Sequence, residues 1–405
     1  MPSAPGDAPP PDAAPIGAPG LDAATVAIFA VSCGAMVANI YYAQSLIGLI
    51  APDLHLHESA AGLVVTLTQV GYGAGLFLLV SLADLVENRR LILLTTAGVV
   101  AGLLLVATST SAATFLLGSF LAGFCSVGAQ ILVPLAAHLT PESRRGRVIG
   151  NVMGGLIAGI MLARPAASFL ASQFGWRAIF WVSAVLMLGI MLLLWRRLAQ
   201  RRPQSTRHYG GILTSTLALV VEEPLLRRRA AYQGALFAVF NLFWTAAPLM
   251  LHDRFGLTQK GIALFALAGA GGALAAPLIG RLADRGLTRA LTGLAMLTAI
   301  LSLLAAGWSA AAGAMAVLAV TAILLDAATQ ANHIVSQRAI YGLSAEARGR
   351  LNAAYMTLLF LCGAAGSALA PLAYHHGGWR LAMGGSALLV LAALALFATE
   401  RRPAR

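Results

Sequence analysis

Long apolar runs separated by short polar links recur along this chain. They fall at roughly 25–47, 60–82, 91–109, 113–138, 148–171 and 178–196. After a basic stretch they resume at roughly 231–251, 261–283, 290–307, 311–340, 350–372 and 379–398. About 20 apolar residues cross the hydrocarbon of a bilayer as a helix, which satisfies its backbone groups within the segment. The pattern therefore predicts an all-α membrane protein with twelve transmembrane helices. Three motifs repeat with the six-plus-six division. Leu82-Ala83-Asp84 returns as Leu282-Ala283-Asp284, Arg145-Gly146-Arg147 as Arg348-Gly349-Arg350, and Gly175-Trp176-Arg177 as Gly378-Trp379-Arg380. Their near-constant separation predicts two pseudo-symmetric six-helix bundles, with a substrate site between them near the bilayer midplane.

The expected boundaries are a disordered tail at 1–23, a first bundle at 24–197, a basic linker at 198–229, a second bundle at 230–400 and a short tail at 401–405. Most arginines lie in the even-numbered links and at the C-terminus, whereas the odd links hold only Arg177, Arg254, Lys260 and Arg380. Basic residues concentrate on the cytoplasmic side of a membrane. A multi-pass protein of a bacterial-type inner membrane is expected, with both termini and both tails cytoplasmic. Ile212–Val221 in the linker is expected as a short helix on the membrane surface.

Composition agrees with lipid as the main solvent: 59% of residues are hydrophobic and 10% charged, against about 25% charged in soluble domains. The net charge of +12 comes from scattered link arginines without basic–aromatic interleaving, so no nucleic-acid partner is expected. Cys33, Cys125 and Cys362 lie in separate runs without ligand spacing, and His55 and His57 beside Glu58 read as solvated, so no metal is expected. Phosphate loops, HExxH and nucleophile elbows are absent from the sequence, and no enzyme activity is expected.

Charge is costly at the centre of a spanning helix, on the order of 3 kcal/mol, and marks pathways or partners. Only Arg164 and Asp326 fall deep within predicted spans, and neither has a charged counterpart 203 positions away. Asp326, Gln330, His333 and Gln337 are spaced 4, 3 and 4, which places them on one helix face. Gln130, on the fourth span, matches His333 in the repeat. The first span offers Asn39, Tyr42 and Gln44, and the seventh Gln233, Asn241 and Trp244. Each amide reads equally as cavity lining or as a bond between helices.

The link motifs around Asp84 and Asp284 resemble the G-x-L-a-D-R-x-G-R-R signature of the major facilitator superfamily. The second copy, Gly280-Arg281-Leu282-Ala283-Asp284-Arg285, follows it well. The first has Val80, Leu85 and Glu87 where the signature has glycine, arginine and glycine. The resemblance implies a conformational latch built from Asp84, Arg89, Arg90, Gly280, Asp284 and Arg285. It adds Arg145, Arg147, Arg348 and Arg350, and a cavity lined by the first, fourth, seventh and tenth helices. Asn39-Ile40-Tyr41-Tyr42-Ala43-Gln44 resembles the start of efflux-type members, including arabinose-efflux-like and drug:proton antiporter-like permeases. The fifth span is only weakly similar to the antiporter motif, because Arg164 and Ser168 stand where glycines belong.

The leading expectation is a functional monomer in the lipid bilayer that exports a small organic molecule by alternating access. Protons would be the coupling ion and there would be no other cofactor. Asp326 and His333 would carry the coupling, and the substrate cavity would hold Asn39, Tyr42, Gln44, Gln130, Arg164, Gln233, Asn241, Trp244, Gln330 and Gln337. The alternatives are a proton symporter for a sugar or organic acid, favoured by Arg164 if the substrate is an anion, and a transporter-like sensor.

Overall fold

The computed structural model describes residues 21–57, 60–200, 202–203, 208–344 and 346–400. Expectations placed on residues 1–20 and 401–405 lie outside these. The helices, with their 3-10 extensions, assemble into twelve spans. The first is broken: α1 (Ala23–Ala38) is bent by 45° from the segment formed by a 3-10 turn (Tyr42–Leu46) and α2 (Ile47–Asp53). The Asn39 amide donates to Met36 O at 3.3 Å at the break, so a run that reads as continuous in sequence is interrupted where side chains compete for carbonyls. Asp22 caps α1, its carboxylate accepting from Thr25 N at 3.0 Å. That hydrogen bonding holds the Asp22 carboxyl below its usual range, and the helix starts inside the expected tail.

The remaining spans of the first half are α3 (Leu63–Leu78) with a 3-10 extension (Val80–Asp84), α4 (Asn88–Ala107), α5 (Ala112–Cys125) with α6 (Gly128–His138), α7 (Glu142–Phe174) and α8 (Arg177–Arg197). The linker contains α9 (Tyr209–Glu222), close to the expected surface helix, with Leu217 and Val221 exposed. The Tyr209 hydroxyl donates to Leu78 O at 3.1 Å.

The second half has α10 (Pro224–Phe255), α11 (Gln259–Gly269), a 3-10 segment (Ala270–Ala275), α12 (Ala276–Asp284), α13 (Thr288–Ala311), α14 (Met315–Tyr341) and α15 (Arg348–Ala398). The seventh span begins earlier than the linker boundary at 229, because Pro224 occupies the first turn of α10, where its missing N–H costs nothing. Helix α15 has 51 residues, about 75 Å if straight and far too long for one crossing. Gly378, with φ 67° and ψ −175°, divides it into two spans. Gly175, between α7 and α8, has φ 81° and ψ 164°. Both glycines of the repeated Gly-Trp-Arg motif thus occupy backbone space that is essentially closed to other residues, and this fixes the same turn in each half.

The two halves meet unevenly. Among the described residues, hydrogen bonds between them run from mid-bundle to the end away from the arginines. Thr66 Oγ1 donates to Ala364 O at 3.2 Å, Thr357 Oγ1 to Gly73 O at 3.3 Å, and Gln259 Nε2 to Ser45 O at 2.9 Å and Ser168 Oγ at 3.2 Å. At the arginine-rich end, Arg229, 4% exposed, ties spans of the second half together. Its Nη1 donates to Thr292 Oγ1 at 2.8 Å and its Nη2 pairs with Glu400 Oε1 at 3.2 Å. Arg289 Nη1 adds a bond to Glu400 O at 2.8 Å.

Candidate functional site

The two membrane charges unmatched by the repeat come together across the halves, one over the face and one at the N–H edge of a single indole. Arg164 sits in α7 with 5% exposure. Its guanidinium lies 4.4 Å from the Trp244 ring centroid, 4.9 Å from Phe240 and 5.5 Å from Tyr41. Each aromatic face offers the cation a partial substitute for water. Trp244 Nε1 donates to Asp326 Oδ1 at 2.7 Å. The carboxylate and the guanidinium interact electrostatically, but none of the ion pairs among the described residues includes Arg164.

Behind Asp326 the 3-10 segment passes close enough that a Cβ on Gly272 would fall 2.6 Å from Asp326 Cβ. Only a glycine lets this backbone press against the acid. The run Gly269, Gly271 and Gly272 also explains why the eighth span is interrupted here.

Amides extend the cluster. Arg164 Nε donates to Gln44 Oε1 at 3.0 Å, Gln44 Nε2 to Asn241 Oδ1 at 2.7 Å, and Gln69 Nε2 to the same oxygen at 2.6 Å. Asn241 Nδ2 donates to Phe237 O at 2.8 Å. The first, second, fifth and seventh spans therefore share one buried chain of hydrogen bonds crossing the interface. Ser45 Oγ adds a bond to Arg164 O at 3.3 Å. Two buried atoms in this chain have no partner: Arg164 Nη2 and Gln69 Oε1.

The polar face of α14 is present, with Asp326, Gln330, His333 and Gln337 all half-buried. His333 Nδ1 lies 3.2 Å from the Tyr355 hydroxyl, and Gln337 Nε2 donates to Asn352 Oδ1 at 3.3 Å. Gln130, the repeat partner of His333, donates from Nε2 to the Tyr72 hydroxyl at 3.3 Å. Each therefore engages a tyrosine from a neighbouring span.

Other expected cavity residues point elsewhere. Asn39 Oδ1 accepts from Ser183 Oγ at 2.7 Å, and the Tyr42 ring meets Phe180 edge-on at 6.4 Å, so both turn toward α8. Gln233 bonds α10 to α14 through Thr329 O at 3.2 Å and Asn332 Nδ2 at 2.7 Å. These three serve helix contacts in this conformation.

Five of the expected latch residues, Asp284, Arg89, Arg90, Arg145 and Arg348, make contacts within their own halves. Asp284 pairs with Arg338. Arg89 Nη2 donates to Trp195 O at 2.5 Å, Arg145 Nε to Ala137 O at 3.1 Å, and Arg348 Nε to Tyr341 O at 3.3 Å. The Arg90 backbone N donates to Glu87 Oε2 at 3.2 Å, and Arg147 lines a cleft of about 410 Å³ between α1 and α7. Gly280 has open space where a Cβ would stand, Arg285 follows α12 and is exposed, and Arg350 lies in the first turn of α15. Asp84 ends the 3-10 extension of the second span.

Sequence reasoning missed Gln69, Gln259, Tyr41, Phe240 and Arg338. Gln69 carried a usable signal, because it is a lone amide in the middle of an apolar run. Gln259 sits at the start of a span and gave none.

The description Major Facilitator Superfamily belongs to the family model that matches residues 25–325 and 235–405. The chain is 41% identical over 360 residues to the uncharacterized transporter YgaY of Escherichia coli O157:H7, covering 89% of this chain and 91% of that protein. It is 33% identical over 395 residues to "Probable transporter SCO4007" of Streptomyces coelicolor, covering 93% and 87%. Its backbone is similar to the crystal structure of a D-xylose-proton symporter, with a TM-score of 0.72 and 14% identity over 93% of this chain and 97% of that one.

Proposed function

The chain belongs to the major facilitator superfamily, and on that premise we propose that it moves a small organic molecule by alternating access, coupled to protons through Asp326. A membrane-embedded transporter of small molecules, not an enzyme, is what the family implies. The observation that carries the coupling is the placement of Asp326 and Arg164, from different halves, at the N–H edge and over the face of Trp244. A carboxylate that can neutralise a cation across the interface holds the halves together when ionised and releases them when protonated. Proton transfer and rocking are thereby linked.

With the arginine-rich end on the cytoplasmic side of the inner membrane, the bonds of Gln259 and Thr66 close the outer end. We read this as an inward-facing state.

Two directions follow from two observations. The Asn39–Gln44 segment resembles efflux-type members, and this supports export, in which proton and cargo compete for the site. The buried Arg164 supports symport of an organic acid, in which they bind together. Proteoliposomes with a trapped pH dye test the coupling and separate the directions. Cargo-driven proton movement opposite to the cargo supports export, and movement with it supports symport. Proton movement that persists in Asp326→Asn removes Asp326 from the mechanism.

A further inference from the structure

Two buried polar atoms without partners lie in one hydrogen-bonded network, and they are chemically opposite. Arg164 Nη2 is a cationic donor and Gln69 Oε1 is an acceptor. An unmet buried donor or acceptor costs about 1–3 kcal/mol, and more when it is charged. Gln44 and Asn241 connect the two residues through three hydrogen bonds of 2.6–3.0 Å. Trp244, Phe240 and Tyr41 surround the guanidinium at 4.4, 4.9 and 5.5 Å, and its unpartnered Nη2 is the atom for an anion to meet, in the plane of its N–H bonds. A carboxylate does this well, through its coplanar oxygens.

We propose that the cargo is a small hydroxylated organic acid, with one carboxylate oxygen accepting from Arg164 Nη2 and a hydroxyl donating to Gln69 Oε1. This deepens the symport arm of the preceding reading and rests on it. The hydroxyl requirement follows from the acceptor at Gln69. A cargo bearing only an acid would leave that oxygen unmet.

The same placement dictates how proton and cargo travel. An anion seated on Arg164 takes up the positive charge that Asp326 otherwise shares, so the Asp326 carboxyl takes a proton as the cargo binds. The charged and titratable groups facing Asp326 from the elements around it are Arg164 on α7 and the Tyr41 phenol at the break of the first span. His333 lies two turns along the same helix.

Thermal unfolding of the full-length protein in detergent, with glycolate, lactate and gluconate at pH 5.5 and 8.0, tests the proposal. The matching primary amides and propionate serve as controls. Stabilisation by a hydroxy acid is expected at concentrations tenfold or more below those its amide needs, and at lower concentrations at pH 5.5. Propionate should need about tenfold more than lactate. Arg164→Gln should abolish the effect, Arg164→Lys should keep part of it and so verify folding, and Gln69→Leu should erase the lactate–propionate difference. Equal stabilisation by acids and amides overturns the proposal. So does unaltered acid binding in Arg164→Gln, or the absence of any acid effect at both pH values. Retained, pH-independent acid binding in wild type would sink the proton coupling alone.

Discussion

The indole N–H of Trp244 donates to Asp326 Oδ1 at 2.7 Å, joining the seventh span to the tenth. The same ring faces Arg164 of the other half at 4.4 Å. Trp244→Phe keeps a ring beside the guanidinium and removes the donor to the acid. A hydrogen bond to a charged group contributes about 1.5–3 kcal/mol. Thermal unfolding should show a loss of that order, and proton-coupled flux should fall at least tenfold. Unchanged flux would remove Trp244 from the coupling.

Gln259 closes one end of the molecule through Ser45 O and Ser168 Oγ. Gln259→Ala removes two bonds with a net value of about 1 kcal/mol each. The ratio of outward-open to inward-facing molecules should rise about thirtyfold, since each step of about 1.4 kcal/mol is a factor of ten. Spin labels placed across the ends of the bundle, read as distance distributions, check the shift.

Glu400 neutralises the buried Arg229 at the end of the last span. Removing one partner of a largely buried pair strands the other charge. Glu400→Gln should therefore cost on the order of 2–3 kcal/mol in unfolding. Asp284→Asn, which breaks the exposed pair with Arg338, should cost less than about 1 kcal/mol. Equal losses in the two variants would contradict this ranking.

Gly175 and Gly378 adopt conformations that a Cβ strains by about 1–3 kcal/mol. Alanine at either position should lower the unfolding temperature, and the two effects should be similar because the turns are equivalent. Additivity in the double variant is the check.

Much of the architecture was legible because lipid imposes a coarse, strong rule. Apolar runs become spans, and the Gly-Trp-Arg repeat marks the equivalent turn in each half. The breaks were hidden. The bend after Ala38 depends on the Asn39 amide competing for a carbonyl, and the interruption after Gly269 depends on how closely backbone can approach Asp326. At the site, Arg164 and Asp326 were legible because charge in lipid is rare. Their placement around Trp244 was not, since no pattern within one helix reports which residue faces it from another half. Asn39 and Gln233 show the converse. Their sequence positions fit a cavity, yet their hydrogen bonds bind neighbouring helices.

Three of the hydrogen bonds between the halves share an asymmetry of chemistry. Gln259, Thr66 and Thr357 are side-chain donors, while their acceptors at Ser45, Ala364 and Gly73 are main-chain carbonyls. A carbonyl survives every substitution at its own residue. Mutation can therefore retune these three bonds only from the donor side, and the resting bias of the transporter is adjustable there while the carbonyls they dock on stay fixed.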